Sequence, residues 1–127
     1  MRLTDFLTSI GRPIAYYPSL NRITGGVLPT ILLCQLIYWH DKGTDPEGWI
    51  YKTRDELWLE TGLSRWEQES ARRALRMRGL LHEKFAGLPR KLYFRPDIKA
   101  INDAWENRPN HLKLPSYPQP ESRENTP

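Results

Sequence analysis

Residues 61–81 read TGLSRWEQESARRALRMRGLL, and the local signals in this segment decide the fold. Ser64 and Glu67 have the spacing of a capping box, in which the hydroxyl and the carboxylate each accept a hydrogen bond from a backbone amide at the helix start. This spacing predicts a helix over residues 64–78, which Gly79 ends.

A second capping box, at residues 53–56, begins eleven residues before the first. It predicts a helix of about two turns, with Leu57 and either Trp58 or Leu59 facing inward. Gly62 supplies the left-handed residue that stops this helix and leaves only a tight turn before the next one. Two helices joined by a short turn that contains glycine form a helix-turn-helix, a unit that reads DNA in many proteins.

Short apolar segments flank the two helices. Residues 49–51 form a β-like run before them, and residues 80–85 and 90–94 enclose a tip with Gly and Pro at 86–89, which predicts a β-hairpin. A strongly apolar helix is predicted at 27–40. A strand before and a hairpin after a helix-turn-helix are typical of a winged helix. We therefore predict an α+β fold, mostly helical, of the winged helix-turn-helix type with an N-terminal arm or short helix and a C-terminal helix.

Three regions are expected along the chain. Residues 1–26 hold a short helix at 3–10, an extended arm and a helical turn, and residues 27–106 form the winged-helix domain. Residues 107–127 contain five prolines and little to bury, so we expect a flexible, extended tail there.

Two helices outside the helix-turn-helix carry information about packing. Residues 27–40 leave hardly any polar face, so this helix is either central to the core or half covered by a second subunit. The C-terminal helix begins after residues 96–97 and places Ile98, Ile101 and Trp105 on one face.

Composition excludes several classes of protein. The chain has 127 residues, three histidines and one cysteine, so no internal disulfide or CxxC zinc site forms. Residues 1–11 lack a signal peptide and residues 27–39 are too short to span a bilayer, so we expect a cytoplasmic protein. The histidines lie on different elements and Cys34 lies in an apolar helix, so we predict no metal, no cofactor and no enzymatic activity.

Charge is distributed unevenly. Residues 64–95 hold nine basic and three acidic side chains, whereas the rest of the chain is slightly acidic. The net charge of the whole chain is +4. Such asymmetry favours binding of a polyanion, although a solvated charged surface is an equally good interpretation of the charge alone.

The second helix of the helix-turn-helix has two distinct sides at about 100° per residue. The side toward the domain carries Gln68, Ala71, Ala74 and Leu75. The opposite side carries the predicted DNA contacts, which are Arg65, Trp66, Glu69, Arg72, Arg73 and Arg76. We expect Arg65, Trp66, Glu69 and Arg73 near base edges in the major groove, and Arg72 and Arg76 nearer phosphates.

Two alternatives remain for these side chains. One alternative is an ion-pair ladder on an exposed helix, formed by Arg65, Glu69 and Arg73. The alternative for Trp66 is packing against the N-terminal arm. Arg90 and Lys91 follow the hairpin tip, where basic residues contact phosphates or the minor groove, or else protect a sheet edge from aggregation. We favour nucleic-acid contact, because the helix and the hairpin indicate the same partner.

Four segments together resemble a known family. They are RPIAYYPSLNRITG (12–25), LLCQLIYW (32–39), residues 61–81 and EKFAGLPRKLYF (83–94). The chain resembles winged-helix proteins of phages, prophages and plasmids that are described as replication-protein or replication-initiation N-terminal domains. The resemblance extends over about residues 12–105.

This resemblance implies binding of double-stranded DNA at a replication origin or operator, often as a dimer. It places Arg65, Trp66, Glu69, Arg72 and Arg73 on the recognition helix, and Arg90 and Lys91 on the wing. Related proteins often continue into a part that engages a helicase or another replisome protein, such as a helicase loader. Here the chain stops after a short Pro-rich tail, so we expect either a shortened form or a free-standing DNA-binding protein.

Three functions follow as hypotheses. The first is a sequence-specific DNA-binding protein of a mobile element that acts in replication initiation or its control, and we favour a homodimer over a monomer. The second is a transcriptional regulator that binds an operator. The third is an interaction module that targets a host or replisome protein through the apolar helix at 27–39 and the aromatic arm.

Overall fold

The computed structural model describes residues 2, 4 and 10–108. Within them, a 3₁₀ turn at Pro18–Leu20 precedes five helices and three strands. The helices are α1 (Asn21–Thr24), α2 (Val27–Lys42), α3 (Arg54–Thr61), α4 (Arg65–Met77) and α5 (Ile98–Glu106). The strands are β1 (Ile50–Tyr51), β2 (Leu81–Ala86) and β3 (Lys91–Pro96).

Local capping signals position α3 and α4 as predicted. The Thr53 hydroxyl accepts from the Glu56 amide at 3.0 Å, and the Glu56 carboxylate accepts from the Thr53 amide at 2.9 Å. Ser64 and Glu67 form the same pair of bonds at the start of α4, at 3.2 and 2.9 Å. Gly62 adopts a left-handed φ of 74° at the end of α3. Both capping boxes are therefore confirmed.

The sheet is antiparallel, with β3 in the centre between β1 and β2. Phe94 of β3 lies opposite both Ile50 and Glu83, so these three side chains share the inner face of the sheet. Tyr93 lies opposite Tyr51 and Lys84, which places those three on the outer face.

The core is built around α2, which packs against α4 and β3. Leu32, Leu33 and Leu36 are fully buried in it, and Ala71 and Leu75 of α4 close its other side. Because seven of its residues are buried by the protein's own chain, this helix is central to the core. Val27 and Tyr38 remain exposed on it.

The prediction that either Trp58 or Leu59 faces inward beside Leu57 is wrong, because both face solvent. Leu57 is buried, but Trp58 is 52% exposed and Leu59 is 82% exposed. Each residue turns by about 100° along a helix, so a short helix that packs with one narrow side buries only Leu57. In α5, Ile101 is buried whereas Ile98, in the first turn, is exposed.

The ends of the chain are described only in part. The predicted helix at 3–10 and most of the tail predicted at 107–127 lie outside the described residues. Among the described residues, no single helix has both the length and the apolar composition to cross a membrane. The order of helices and strands is compatible with a winged-helix layout.

Candidate nucleic-acid interface

The two sides of α4 are as different as the helical projection predicts. Gln68, Ala71 and Leu75 are buried against the domain. Gln68 fixes the turn before α4, because its side-chain amide donates to the Leu63 carbonyl at 2.9 Å and to the Arg54 carbonyl at 3.1 Å. The opposite side is open to solvent, where Trp66 is 73% exposed. α4 therefore presents a rigidly seated polar face.

Two arginines of that face are held by one carboxylate. Glu83 of β2 accepts from Nε of Arg72 and from a terminal nitrogen of Arg76, each at 2.5 Å. In this Glu83 clamp the carboxylate is only 10% exposed and is largely shielded from water, whereas the Arg76 side chain is 41% exposed. Each guanidinium keeps further N–H donors, because it uses a single nitrogen in this contact.

Glu83 is a site residue that the sequence analysis missed. A signal for it exists in the alternation of β2, which places residue 83 on the inner face of the sheet with Leu81. A carboxylate that points inward needs a positive partner, because burying an unpaired charge is costly. Lys84, the next residue, lies on the outer face of the sheet, so the arginines of the preceding helix are the basic side chains nearest along the chain that can reach the inner face.

Only half of the possible ion-pair ladder on α4 forms. Arg65 lies 3.6 Å from the Glu69 carboxylate, and its guanidinium is 5.7 Å from the centre of the Trp66 ring. Arg73, the third member, is exposed and forms no ion pair with residues 10–108. Arg73 is therefore the uncompensated cation in the middle of the α4 face.

The hairpin tip carries two more cations without carboxylate partners in the described chain. The Arg90 guanidinium lies 4.2 Å from the centre of the Phe85 ring, and the Lys91 ammonium lies 5.0 Å from that of Tyr51. Contacts with ring faces position a cation but leave its charge in place. Arg90 and Lys91 therefore remain available to an anionic ligand.

A cleft of about 350 Å³ lies between α4, the start of α3 and the hairpin. It brings together five of the eight predicted contacts, namely Arg65, Glu69, Arg72, Arg90 and Lys91. A smaller depression of about 200 Å³ on α4 is lined by Glu69, Arg72, Arg73 and Arg76. Trp66 lines neither cavity. Arg72 and Glu69 line both cavities, so the predicted helix and hairpin residues other than Trp66 lie on one continuous, largely basic surface.

Two further basic residues line the cleft and were not predicted. Lys52 is committed to the protein, because its ammonium lies 2.6 Å from Glu60 and 3.5 Å from the centre of the Trp39 ring. Arg54, the first residue of α3, is exposed and forms no ion pair in the described chain. Arg54 is thus a further candidate contact for DNA, which the sequence analysis missed because Arg54 lies in the capping segment of α3.

Glu60 connects α3 to α2 behind the cleft. Its carboxylate accepts from Gln35 at 2.7 Å, from Trp39 at 2.6 Å and from Lys52 at 2.6 Å. Burial alone would raise the pKa of Glu60, but these hydrogen bonds outweigh it and hold the pKa below its ordinary value. Glu60 therefore stays ionised and fixes the position of α3 at neutral pH.

Other chemically active groups do not assemble into a site. Burial raises the pKa of the Cys34 thiol, which keeps it protonated inside α2. Within the part of the chain that the structure describes, no group of three or more His, Cys, Asp or Glu side chains is placed to hold a metal ion.

Comparisons with known protein families, with curated proteins and with solved structures each found no match to this chain.

Proposed function

We propose that this chain is a winged-helix protein that binds double-stranded DNA sequence-specifically and acts for a phage or plasmid in replication initiation or its control. One observation carries the proposal. Arg65 and Arg72 of α4 and the basic hairpin tip line a single cleft, although they lie far apart in the sequence, and Arg73 and Arg76 line the adjoining depression on α4. A helix and a flanking hairpin that share one basic surface suit a major groove and the adjacent backbone.

The residues have different roles in this proposal. Arg73 and Arg65 reach base edges from the exposed face of α4, with Trp66 and Glu69 beside them. Arg72 and Arg76 contact phosphates with the N–H groups that Glu83 leaves unused. Arg90 and Lys91 follow the backbone beside the groove, where an extended basic tip adds affinity without reading sequence.

The first experiment selects the preferred site from a random duplex library and measures binding by fluorescence anisotropy. Arg73→Ala should weaken binding to the selected site by about 1–3 kcal/mol and relax its sequence preference, because Arg73 reads a base. Lys91→Ala should weaken all duplexes alike and reduce the salt dependence by about one phosphate contact.

Lys99→Ala is the matched control for these variants. Lys99 is exposed on α5, pairs with Asp103 at 2.8 Å and belongs to neither cavity. An equal effect of Lys99→Ala and Arg73→Ala would refute the assignment to α4, because net charge alone would then explain binding. Mapping of genomic sites separates the two biological roles: repeats near an origin support replication, and a promoter supports a transcriptional regulator.

A homodimer is part of the proposal, since two-fold symmetric sites require two copies of α4. Sedimentation at micromolar concentration, with and without the selected duplex, tests it. A 15.0 kDa species without the duplex, together with a complex of one chain per duplex, would contradict the dimer.

A second candidate function is binding of a host or replisome protein, such as a helicase or its loader. The observation that favours it is an apolar cavity of about 460 Å³ between the arm at 12–15, the end of α2 and α3. Leu59, 82% exposed, lies at its edge. If this function is correct, Leu59→Ser removes the protein's effect on replication in the cell, whereas Arg73→Ala retains it.

A further inference from the structure

The outer face of the sheet carries aromatic rings and cations side by side. Tyr51, Tyr93 and Lys84 form one row across the three strands. The Tyr51 and Tyr93 rings are 5.5 Å apart between centres. Trp49, just before β1, lies 4.4 Å from the Lys84 ammonium and 4.6 Å from the Arg95 guanidinium, measured to its ring centre. This face lies on the opposite side of the sheet from Phe94 and the Glu83 clamp.

The cations on this face are uncompensated. Lys84, Lys91 and Arg95 form no ion pair with any carboxylate in the described chain. The positive charge of Arg95 helps to lower the pKa of Asp97, but Asp97 forms its hydrogen bonds with Ala100 and His82. The face is therefore positively charged.

A groove of about 370 Å³ runs along the edge of this face, between β1 and the end of α2. Trp49, Tyr51 and Tyr93 line it, so one wall is aromatic. Asp45 also lines it, but its carboxylate already accepts from the Glu47 and Trp49 amides, each at 3.0 Å. The groove thus offers ring surface and room beside a row of positive charges.

We propose that this outer sheet face binds single-stranded nucleic acid, with bases stacked on Tyr51, Tyr93 and Trp49 and phosphates on Lys84, Lys91 and Arg95. Tyr51 is exposed, and Tyr93 and Trp49 are half-buried. Aromatic rings beside cations fit unpaired bases and the backbone that joins them, whereas a duplex keeps its bases stacked inside. Acidic peptides match the charge but lack the regular series of flat rings that a base-containing strand stacks on aromatic side chains. This site goes beyond the proposed binding of double-stranded DNA by α4, although Tyr51 and Lys91 lie where the two surfaces meet.

The test uses the full chain and fluorescein-labelled 12-mers of thymidine and of uridine, read by anisotropy at low salt. A 12-mer of abasic sugar phosphates carries the same charge without bases. We expect the base-containing strands to bind at least about tenfold tighter than the abasic strand, because stacking contributes to each contact. Comparison of the affinities for the thymidine and uridine 12-mers tells whether the face prefers DNA or RNA.

Variants locate the site on the sheet. Tyr51→Ala should weaken binding of the 12-mers by about 5-fold to about 100-fold, whereas Tyr51→Phe, which keeps the ring, should stay within about twofold of the wild type. Tyr51 is 40% exposed on a short edge strand, so the fold should survive both changes. Lys84→Gln should lower the salt slope by about 0.7, the value for one phosphate of a single strand.

Three results would overturn the proposal. They are absence of binding to any base-containing 12-mer at low salt, equal affinity for the abasic strand, and loss of single-strand binding in Arg73→Ala but not in Tyr51→Ala. The last result would assign the strand to the α4 surface. Duplex binding, measured in parallel on the same variants, shows separately whether the proposed function of α4 stands.

Discussion

Replacement of Glu83 by Gln should reduce stability and increase DNA affinity together. In the native protein, the Glu83 carboxylate neutralises part of the charge of Arg72 and Arg76 through two contacts of 2.5 Å. Glutamine removes the negative charge and keeps one acceptor oxygen, so about one charge-assisted hydrogen bond is lost. We expect the free energy of unfolding to fall by about 2 kcal/mol, since such bonds contribute about 1.5–3 kcal/mol each.

The same change releases one net positive charge on the α4 surface. If this charge engages one more phosphate, the slope of log affinity against log salt steepens by about 0.9. Between about 50 and about 200 mM salt, the affinity of Glu83→Gln then falls about 3.5-fold further than that of the wild type. Affinity for a non-cognate duplex at low salt should rise correspondingly, because released arginines bind phosphates without reading bases.

Urea unfolding followed by circular dichroism and duplex anisotropy at the two salt concentrations measure both effects. Glu47→Gln is the matched control, because Glu47 lies in an exposed loop, forms no ion pair in the described chain and undergoes the same charge change. An unchanged salt slope in Glu83→Gln, or an equal change in Glu47→Gln, would refute the assignment of Arg72 and Arg76 to phosphate contact.

Three further predictions concern the scaffold of the site. Gly62→Ala should destabilise the protein by about 1 kcal/mol in urea unfolding, because φ is 74° there although no atom would contact the new methyl group; an unchanged midpoint would contradict the left-handed turn. Asp97→Ala should cost about 1 kcal/mol at pH 7, because it removes the cap of α5. Hydrogen bonds from the Ala100 amide and from His82 lower the pKa of Asp97 in the folded protein. The stability difference between the wild type and Asp97→Ala is therefore full above the unfolded pKa of about 3.9 and disappears as the pH falls through the lowered pKa of the folded state. A stability difference that stays constant down to a pH of about 2 would refute this. Burial keeps the Cys34 thiol protonated, so a thiol reagent at about pH 8 should label it only on unfolding, and rapid labelling of the native protein would contradict its burial.

Local signals predicted the elements that position the site. The capping boxes at Thr53 and Ser64 lie within four residues of the amides that they bind, so no distant contact was needed to interpret them. The same is true of Gly62, which the turn requires in a left-handed conformation. The exposed orientation of Trp58 and Leu59 was not predictable in this way, because it depends on how narrow a side of α3 meets the rest of the core.

The site was predicted in its components but not in its electrostatics. The helical projection separates Leu75 from Arg73 because both lie on one helix. The alternation of β2 places Glu83 on the inner face of the sheet, but which arginines it contacts depends on how β2 packs beside α4. The aromatic face likewise depends on β1 pairing with β3, which brings Tyr51 next to Tyr93 from forty-two residues away.

The most direct test of the central claim is a nuclear magnetic resonance titration of the isotope-labelled protein with its selected duplex. We expect amide shifts to concentrate at the start and middle of α4 and at the hairpin tip, around Arg65, Arg73 and Arg90. Shifts confined to the arm at 12–15 and to Leu59, or no shifts at saturating duplex and low salt, would contradict DNA recognition by α4 and the hairpin.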